Sequence, residues 1–404
     1  MTRLRRTTRP DAFAEQVARL RRRGRRHLER WSRRLRRVDE RVVTLQPAAG
    51  SPRRGLALFS FIVDPILEAK RRGAAAEDLS HTHFWESLRM AELLCEEGWE
   101  VDAISWTARS FEPRRGYDLM IDVRTHLERW RPQMPGALAV AHLDTAHWSF
   151  NNPAEQQRLA ALAERRGAIL APRRQLPQNR LIETADRATY LGNDFTAETY
   201  GHAGIPMQRV RVSVPRTYPW LDREWESARR RFLWFGSGGL VHKGLDLVLE
   251  AFAAMPELEL YVCGPIERER DFERLYRREL YELANVHTLG WIDVDGPAFL
   301  ELVRRCGALV YPSCAEGGGS SALTCMHAGL VPLLTRSASV DLDSGRTIEI
   351  PEGTVESVER AVRSTAALPP QRLEEMSRRG WTWVREHHTR ERFEQEYRAF
   401  VRSL

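Results

Sequence analysis

From Gly55 onward the chain alternates short apolar runs with segments of helical spacing, and that alternation constrains the fold more than any other feature. Gly55–Val63 is a continuous apolar run. Trp85–Glu97 carries its apolar residues at three- and four-residue steps and stops at Gly98, Glu100–Ser105 is strand-like again, and Asp118–Asp122 and Leu138–Ala141 repeat the pattern. Continuous apolar runs suit strands buried on both faces, and strands separated by helices pair in parallel. Residues 213–230, with Pro215, Pro219 and several charges, interrupt the rhythm and read as a linker. Strands are then expected at Phe232–Gly236, Leu258–Cys263, Val286–Leu289, Ala308–Tyr311 and Val331–Thr335. Helices are expected at Lys243–Ala254, Asp271–Glu282, Pro297–Arg305 and Ala322–Ala328. The expected architecture is α/β: two doubly wound domains over 50–212 and 231–385 that face a cleft, with a last helix over 386–404. Such sheets bind ligands beyond the carboxyl ends of their strands.

A length of 404 residues agrees with two domains. The five cysteines, Cys95, Cys263, Cys306, Cys314 and Cys325, are scattered and form no C-x-x-C pair, which argues against a disulfide framework or zinc cage and for a reducing, cytoplasmic setting. No apolar run approaches the ~18 residues of a membrane span, and the N-terminus lacks the apolar stretch of a secretory signal. The net charge of +7 is unevenly placed: residues 1–42 hold 16 Arg and 5 acidic residues, or +11, which leaves 7 − 11 = −4 for the rest. Residues 1–49 therefore read as a basic helical arm. Phe13, Val17, Leu20, Leu28, Trp31, Leu35 and Val38 form an apolar stripe flanked by arginines. Such a stripe over residues 13–38 suits an anionic membrane surface, which would make the protein peripheral on the inner face. A solvated arm or a helix packed on the body accounts for it equally. No nucleic-acid-binding motif accompanies it, so nucleic acid is not an expected partner.

Two glycine-rich junctions carry the chemistry. In Tyr311-Pro-Ser-Cys-Ala-Glu-Gly-Gly-Gly-Ser-Ser-Ala-Leu-Thr-Cys-Met-His-Ala-Gly329 a strand runs into a small-residue loop and then a helix. Glycines admit close approach to a ligand, free amides at a helix start attract anions, and Glu316 stands at the loop mouth. In Phe232-Leu-Trp-Phe-Gly-Ser-Gly-Gly-Leu-Val-His-Lys-Gly-Leu-Asp-Leu-Val-Leu-Glu-Ala-Phe252 a strand meets a glycine loop and Lys243-Gly244 before a helix. No Gly-Lys-Ser/Thr closes this second loop, so it is not a P-loop. Each junction alone also reads as an ordinary strand–loop–helix turn.

Together the two stretches resemble the nucleotide-binding half of the retaining glycosyltransferases of family 4, which have the GT-B fold of two Rossmann-like domains. The Lys-Gly-x-Asp-x-x-x-x-Ala-Phe segment is followed by Cys263-Gly264-Pro265, Leu289-Gly290-Trp291, Tyr311-Pro312-Ser313, Glu316-Gly317, Met326 and Ala328-Gly329. The resemblance covers roughly 231–335 well; over 50–212 it rests on Ala91, Leu94, Gly98 and Val101. It implies transfer of a sugar, with retention, from a nucleotide-diphosphate donor. Lys243 would hold the diphosphate, Glu316 the transferred sugar, and the amides of Gly318, Gly319, Ser320 and Ser321 a phosphate. Gly238, Gly239 and Gly264 would line the donor site, and His142 would match the family's cleft histidine. Three positions depart from the pattern. Thr324 stands where a second Glu would hold the ribose, Ser237 where an Arg would face the diphosphate, and His81-Thr82-His83 where the first domain has a glycine loop. A neutral hydroxyl in place of a carboxylate weakens donor binding by roughly tenfold. The alternative is therefore a non-catalytic protein of the same fold that binds nucleotide or glycan. The acceptor is left open between a glycan, a lipid-linked sugar and a small molecule. No cofactor or metal is expected. His142-x-Asp144-x-x-His147 has the residue types but not a familiar spacing of a zinc site.

Overall fold

The computed structural model describes residues 42–47, 50, 52–72, 79 and 81–404, so the expected arm helix over 13–38 lies outside the described residues. Seven strands form the first sheet: β1 (Val43–Leu45), β2 (Gly55–Phe61), β3 (Trp99–Ser105), β4 (Leu119–Asp122), β5 (Leu138–Leu143), β6 (Arg187–Tyr190) and β7 (Met207–Arg209). Their order is β1-β3-β2-β4-β5-β6-β7, parallel except for the β1–β3 pair. Six parallel strands form the second: β8 (Arg231–Phe235), β9 (Glu259–Cys263), β10 (Val286–Thr288), β11 (Ala308–Tyr311), β12 (Val331–Leu334) and β13 (Ile348–Glu349), in the order β10-β9-β8-β11-β12-β13. In both sheets the chain winds outward from one strand, returns to its other side and winds the opposite way. The reversal falls between β2 and β4 in the first sheet and between β8 and β11 in the second. Loops on either side of such a reversal part from each other and leave a crevice.

The expected boundaries shift in three places. Residues 43–45, inside the span expected as arm, form β1 on the sheet edge: Val43 is buried and Thr44 Oγ1 donates to Asp102 Oδ1 at 2.6 Å. The linker 213–230 is partly built in: Ser213 is buried on Glu86, Tyr218 is buried, and Trp225–Ala228 is helical. The helix expected over 271–282 is two, Arg270–Leu275 and Arg277–Tyr281, broken at Tyr276. Tyr276 is wholly buried, stacks on Phe272 and donates to Glu250 Oε1 at 2.5 Å.

Two helices cross between the domains. Trp148–Arg166 follows β5 in sequence, yet it packs on the second domain: Leu162 joins that domain's core, Arg158 donates twice to the Pro312 carbonyl at 3.1 Å, and Arg165 pairs with Asp246 at 2.7 Å. In the other direction Arg390–Arg402 lies on the first-domain helix Thr82–Glu96, with Arg398 paired to Glu96 and Glu97. A single apolar cluster runs through Phe59, Leu88 and Val101 of the first domain, Leu323 and Met326 of the second, and Phe393, Tyr397 and Phe400 of the last helix. Among the described residues no helix is long and apolar enough to cross a membrane.

Candidate active site

The crevice of the second sheet lies where the loops after β8 and β11 diverge, and these loops carry Lys243 and Glu316. The sequence placed the two residues 73 positions apart; the fold brings them into contact. Lys243 Nζ donates to Glu316 Oε1 at 2.5 Å and to the Tyr311 hydroxyl at 2.8 Å. The same Glu316 oxygen accepts from Tyr311 at 2.7 Å and from Ser313 Oγ at 2.9 Å. Oε1 is thus fixed by three donors, while Oε2 makes no hydrogen bond among the described residues. Lys243 is held in place by Gly244, whose φ of 73° belongs to the left-handed region and whose Cα packs on Pro312.

Burial dominates the electrostatics of this cluster. It lowers the Lys243 pKa against the opposing pull of Glu316. It would by itself raise the Glu316 pKa, but Lys243, then His242 and Arg174, outweigh it and hold the carboxyl at about 2. Burial and the Glu316 charge push the Tyr311 hydroxyl well above its usual range. By geometry the lysine and the carboxylate form an ion pair.

The helix Ser320–His327 begins directly after Gly319, and no intramolecular acceptor meets the amides of Gly318, Gly319, Ser320 and Ser321 among the described residues. These amides are those of the loop and first helical turn that follow Glu316, where a helix dipole adds partial positive charge. Gly317 touches the first domain and not an open cleft: a Cβ added there would overlap the Asp144 carbonyl and Thr145 Cα. Ser339, with a φ of 58°, donates from Oγ to the Glu316 carbonyl at 2.7 Å and meets Thr196 Oγ1 of the first domain at 2.7 Å. The cleft expected from sequence is closed at this point.

Several expected donor contacts are otherwise engaged. The Gly239 amide donates to Glu269 Oε1 at 2.5 Å, and the Leu240 amide shares the same carboxylate. Gly238 packs beside Glu269. Gly264 donates to the Gly290 carbonyl at 3.0 Å, and its missing Cβ makes room for Trp234 and the Gly236 carbonyl, so it serves packing between strands. Thr324 is buried and its hydroxyl donates back to the Ser320 carbonyl at 2.8 Å, a common fate of a mid-helix threonine.

His142 does not reach the cleft. It sits on β5 with no exposed surface, its Nδ1 2.8 Å from Thr189 Oγ1 and its ring against Phe61. Burial, before any charge, lowers its pKa to about 4. Strand alternation points it into the first domain. His83 faces the site instead: it interacts electrostatically with Glu316 and lies 3.7 Å from Asp144, which is paired with Arg124. His83 is not in a loop: it lies in the first turn of the helix Thr82–Glu96, while His81 stands just before it at the N-cap position without a side-chain cap hydrogen bond. His142, Asp144 and His147 bond to different partners and do not converge as a metal site.

Arg174 is a site residue that sequence reasoning missed. It belongs to the segment that follows the crossing helix, and its side chain lies over Gly239. It interacts electrostatically with Lys243, Glu316, His242 and His83. Its guanidinium has no hydrogen bond or ion pair among the described residues. Its backbone is clamped: the amide donates to buried Glu155 at 2.9 and 3.1 Å, and the carbonyl accepts from Asn151 at 2.7 Å. No periodicity marks Arg174 in the sequence; only the tertiary path of the chain brings it here.

Residues 229–367 match the family described as "Glycosyl transferases group 1". No curated protein sequence matches the chain. Among solved structures, the fold is similar to sucrose-phosphate synthase from Thermosynechococcus elongatus, at 15% identity over 89% of this chain and 99% of that one with a TM-score of 0.59. It is similar to HepE of Anabaena in complex with UDP and glucose, at 12% identity over 86% and 99% of the two chains with a TM-score of 0.53. TarM of S. aureus in complex with Fondaparinux, alpha-GlcNAc-glycerol and UDP aligns at 9% identity over 70% of this chain with a TM-score of 0.50, and this chain spans 55% of TarM. The two parallel sheets are the GT-B arrangement of these glycosyltransferase structures.

Proposed function

We propose that this chain is a GT-B glycosyltransferase that moves a sugar, with retention of configuration, from a nucleotide-diphosphate donor to an acceptor hydroxyl. The observation that carries the proposal is the Lys243–Tyr311–Glu316 constellation beside the free amides of residues 318–321. A diphosphate bridging those amides and Lys243 receives preorganised positive charge where the leaving group becomes negative. The ammonium has three protons, so it can hold phosphate and Glu316 together. Glu316 Oε2 is then free to accept from a donor-sugar hydroxyl. Arg174 supplies the second cation that Ser237 does not, from the first domain and across the crevice. The acceptor hydroxyl attacks the anomeric carbon on the face that the diphosphate leaves: the bond to the diphosphate oxygen breaks, the bond to the acceptor oxygen forms, and the hydroxyl proton passes to the departing diphosphate, which gives retention. No resident cofactor or metal enters this chemistry. The five buried free cysteines fit a cytoplasmic setting.

The test is calorimetric titration with a panel of nucleoside diphosphates and nucleotide sugars, repeated with Lys243→Ala. UDP compounds come first, because UDP occupies the similar HepE structure. Lys243→Ala also leaves the half-buried Glu316 without its lysine, though Tyr311 and Ser313 still donate to it, a loss of about 1–3 kcal/mol of stability. The double variant Lys243→Ala/Glu316→Gln removes that penalty and isolates the ligand effect. Selective binding that both variants weaken supports the proposal; binding that is indifferent to Lys243 rejects the assigned role. The second reading, a binding protein without turnover, is favoured by Glu269 occupying the Gly239 and Leu240 amides and by the inward bond of Thr324. Nucleotide binding with no transfer to any acceptor would select it.

A further inference from the structure

Outside the donor site, three side chains converge from three separate elements of the first domain. His147 caps the crossing helix, Glu183 lies on the short helix Leu181–Thr184, and His202 lies on the 3-10 turn Gly201–Ala203. One potential ligand atom from each lies within 4.8 Å of the others. We propose that His147, Glu183 and His202 form a binding site for a divalent transition-metal ion, with zinc the ion that this ligand set fits best.

The geometry of the exposed pair already suits an ion. His202 Nε2 and Glu183 Oε1 are 3.3 Å apart. Tetrahedral zinc with bonds of ~2.0–2.1 Å sets its ligands ~3.3 Å from one another. The buried partner gives an independent observation. His147 is 5% exposed, its Nδ1 is 2.7 Å from Ser149 Oγ, and its Nε2 is buried with no hydrogen-bond partner among the described residues. Buried ring nitrogens rarely go unsatisfied. Nδ1 faces the Ser149 hydroxyl at 2.7 Å and accepts from the Ser149 amide at the longer distance of 3.4 Å; an ion on Nε2 would place the ring proton on Nδ1, where the nearer hydroxyl accepts it. The ring is held firmly, between Tyr200 at 5.1 Å and Trp148 at 5.3 Å, and its centroid is 4.8 Å from that of His202. Glu183 and His202 are exposed, which gives an ion from solvent access to the site and leaves their side chains free to close on it. Two imidazoles and one carboxylate suit zinc, and the fourth position falls to water. The bound ion would tie the start of the crossing helix to the two surface turns beside β6.

The experiment is calorimetric titration of the metal-free full chain with zinc chloride, alongside Co²⁺ absorption spectra. The expected result is one ion per chain, with visible bands of tetrahedral cobalt and a thermal midpoint that rises on zinc addition. His202→Ala and Glu183→Gln change exposed positions and leave the fold intact; each should weaken binding by about tenfold or more and abolish the cobalt bands. His287→Ala, at a half-buried histidine of the second domain, should bind as the parent does. Absence of stoichiometric uptake overturns the proposal. So does equal weakening by His287→Ala, or undiminished binding by the two site variants.

Discussion

Charge burial organises the candidate site at the scale of single residues, and Arg174 is where its contribution to ligand binding can be isolated. Its guanidinium is exposed and unpaired, so Arg174→Ala costs the fold little. It should weaken nucleoside-diphosphate binding by about 1–2 kcal/mol, roughly tenfold, with a difference that shrinks in high salt. Titration of the variant at two ionic strengths checks this; unchanged affinity would remove Arg174 from the donor site. Glu86 provides a pH test. It is fully buried on Ser213, and burial above all pushes its carboxyl up to about 8 from the usual 4.5. The unfolded chain releases this proton near 4.5 while the folded chain retains it until about 8. Stability from this group is therefore lost as pH rises through that window. Glu86→Gln should raise stability by about 1–3 kcal/mol at pH 8 and by much less at pH 5. Denaturant titrations at the two pH values measure the difference.

At the scale of elements, the glycine loop after β11 connects donor chemistry to domain contact. Gly317 lies against Asp144 and Thr145, where any side chain collides with backbone. Backbone cannot yield as a flexible side chain does, so Gly317→Ala should push the domains apart or distort the loop, at about 1–3 kcal/mol. The expected outcome is a folded protein with nucleotide binding weakened well beyond that of a surface variant; wild-type affinity would mean that this contact is irrelevant to the site. Helix periodicity served well for Thr82–Glu96 and Pro297–Arg305, whose inward faces are largely apolar. It was blind to Trp148–Arg166. That helix buries Asn151, Glu155, Arg158 and Leu162, which have helical spacing, but three of the four are polar. An apolar pattern cannot register a helix that packs through hydrogen bonds and ion pairs.

At the scale of the molecule, the two domains are joined by a shared apolar cluster and by helices exchanged in both directions. They should melt together. Scanning calorimetry of the full chain is expected to give one transition, and two resolved transitions would show that the exchanged helices do not couple the domains.

The sequence by itself determined the local and periodic properties of this protein: parallel α/β sheets, the positions of the strands from Phe232 to Thr335 along the chain, and a helix after the glycines 317–319, with Lys243 and Glu316 as candidates on the two loops. These follow from residues within one turn or one strand of each other, where spacing encodes which face is buried. The tertiary structure decided which charges meet. The Lys243–Glu316 ion pair, the withdrawal of His142 into the first domain, the approach of His83 and Arg174, the occupation of the Gly239 amide by Glu269 and the convergence of His147, Glu183 and His202 all join positions far apart in the chain. Electrostatic and hydrogen-bond energies depend on distance and burial in space, and neither is encoded in the spacing of residues along a sequence.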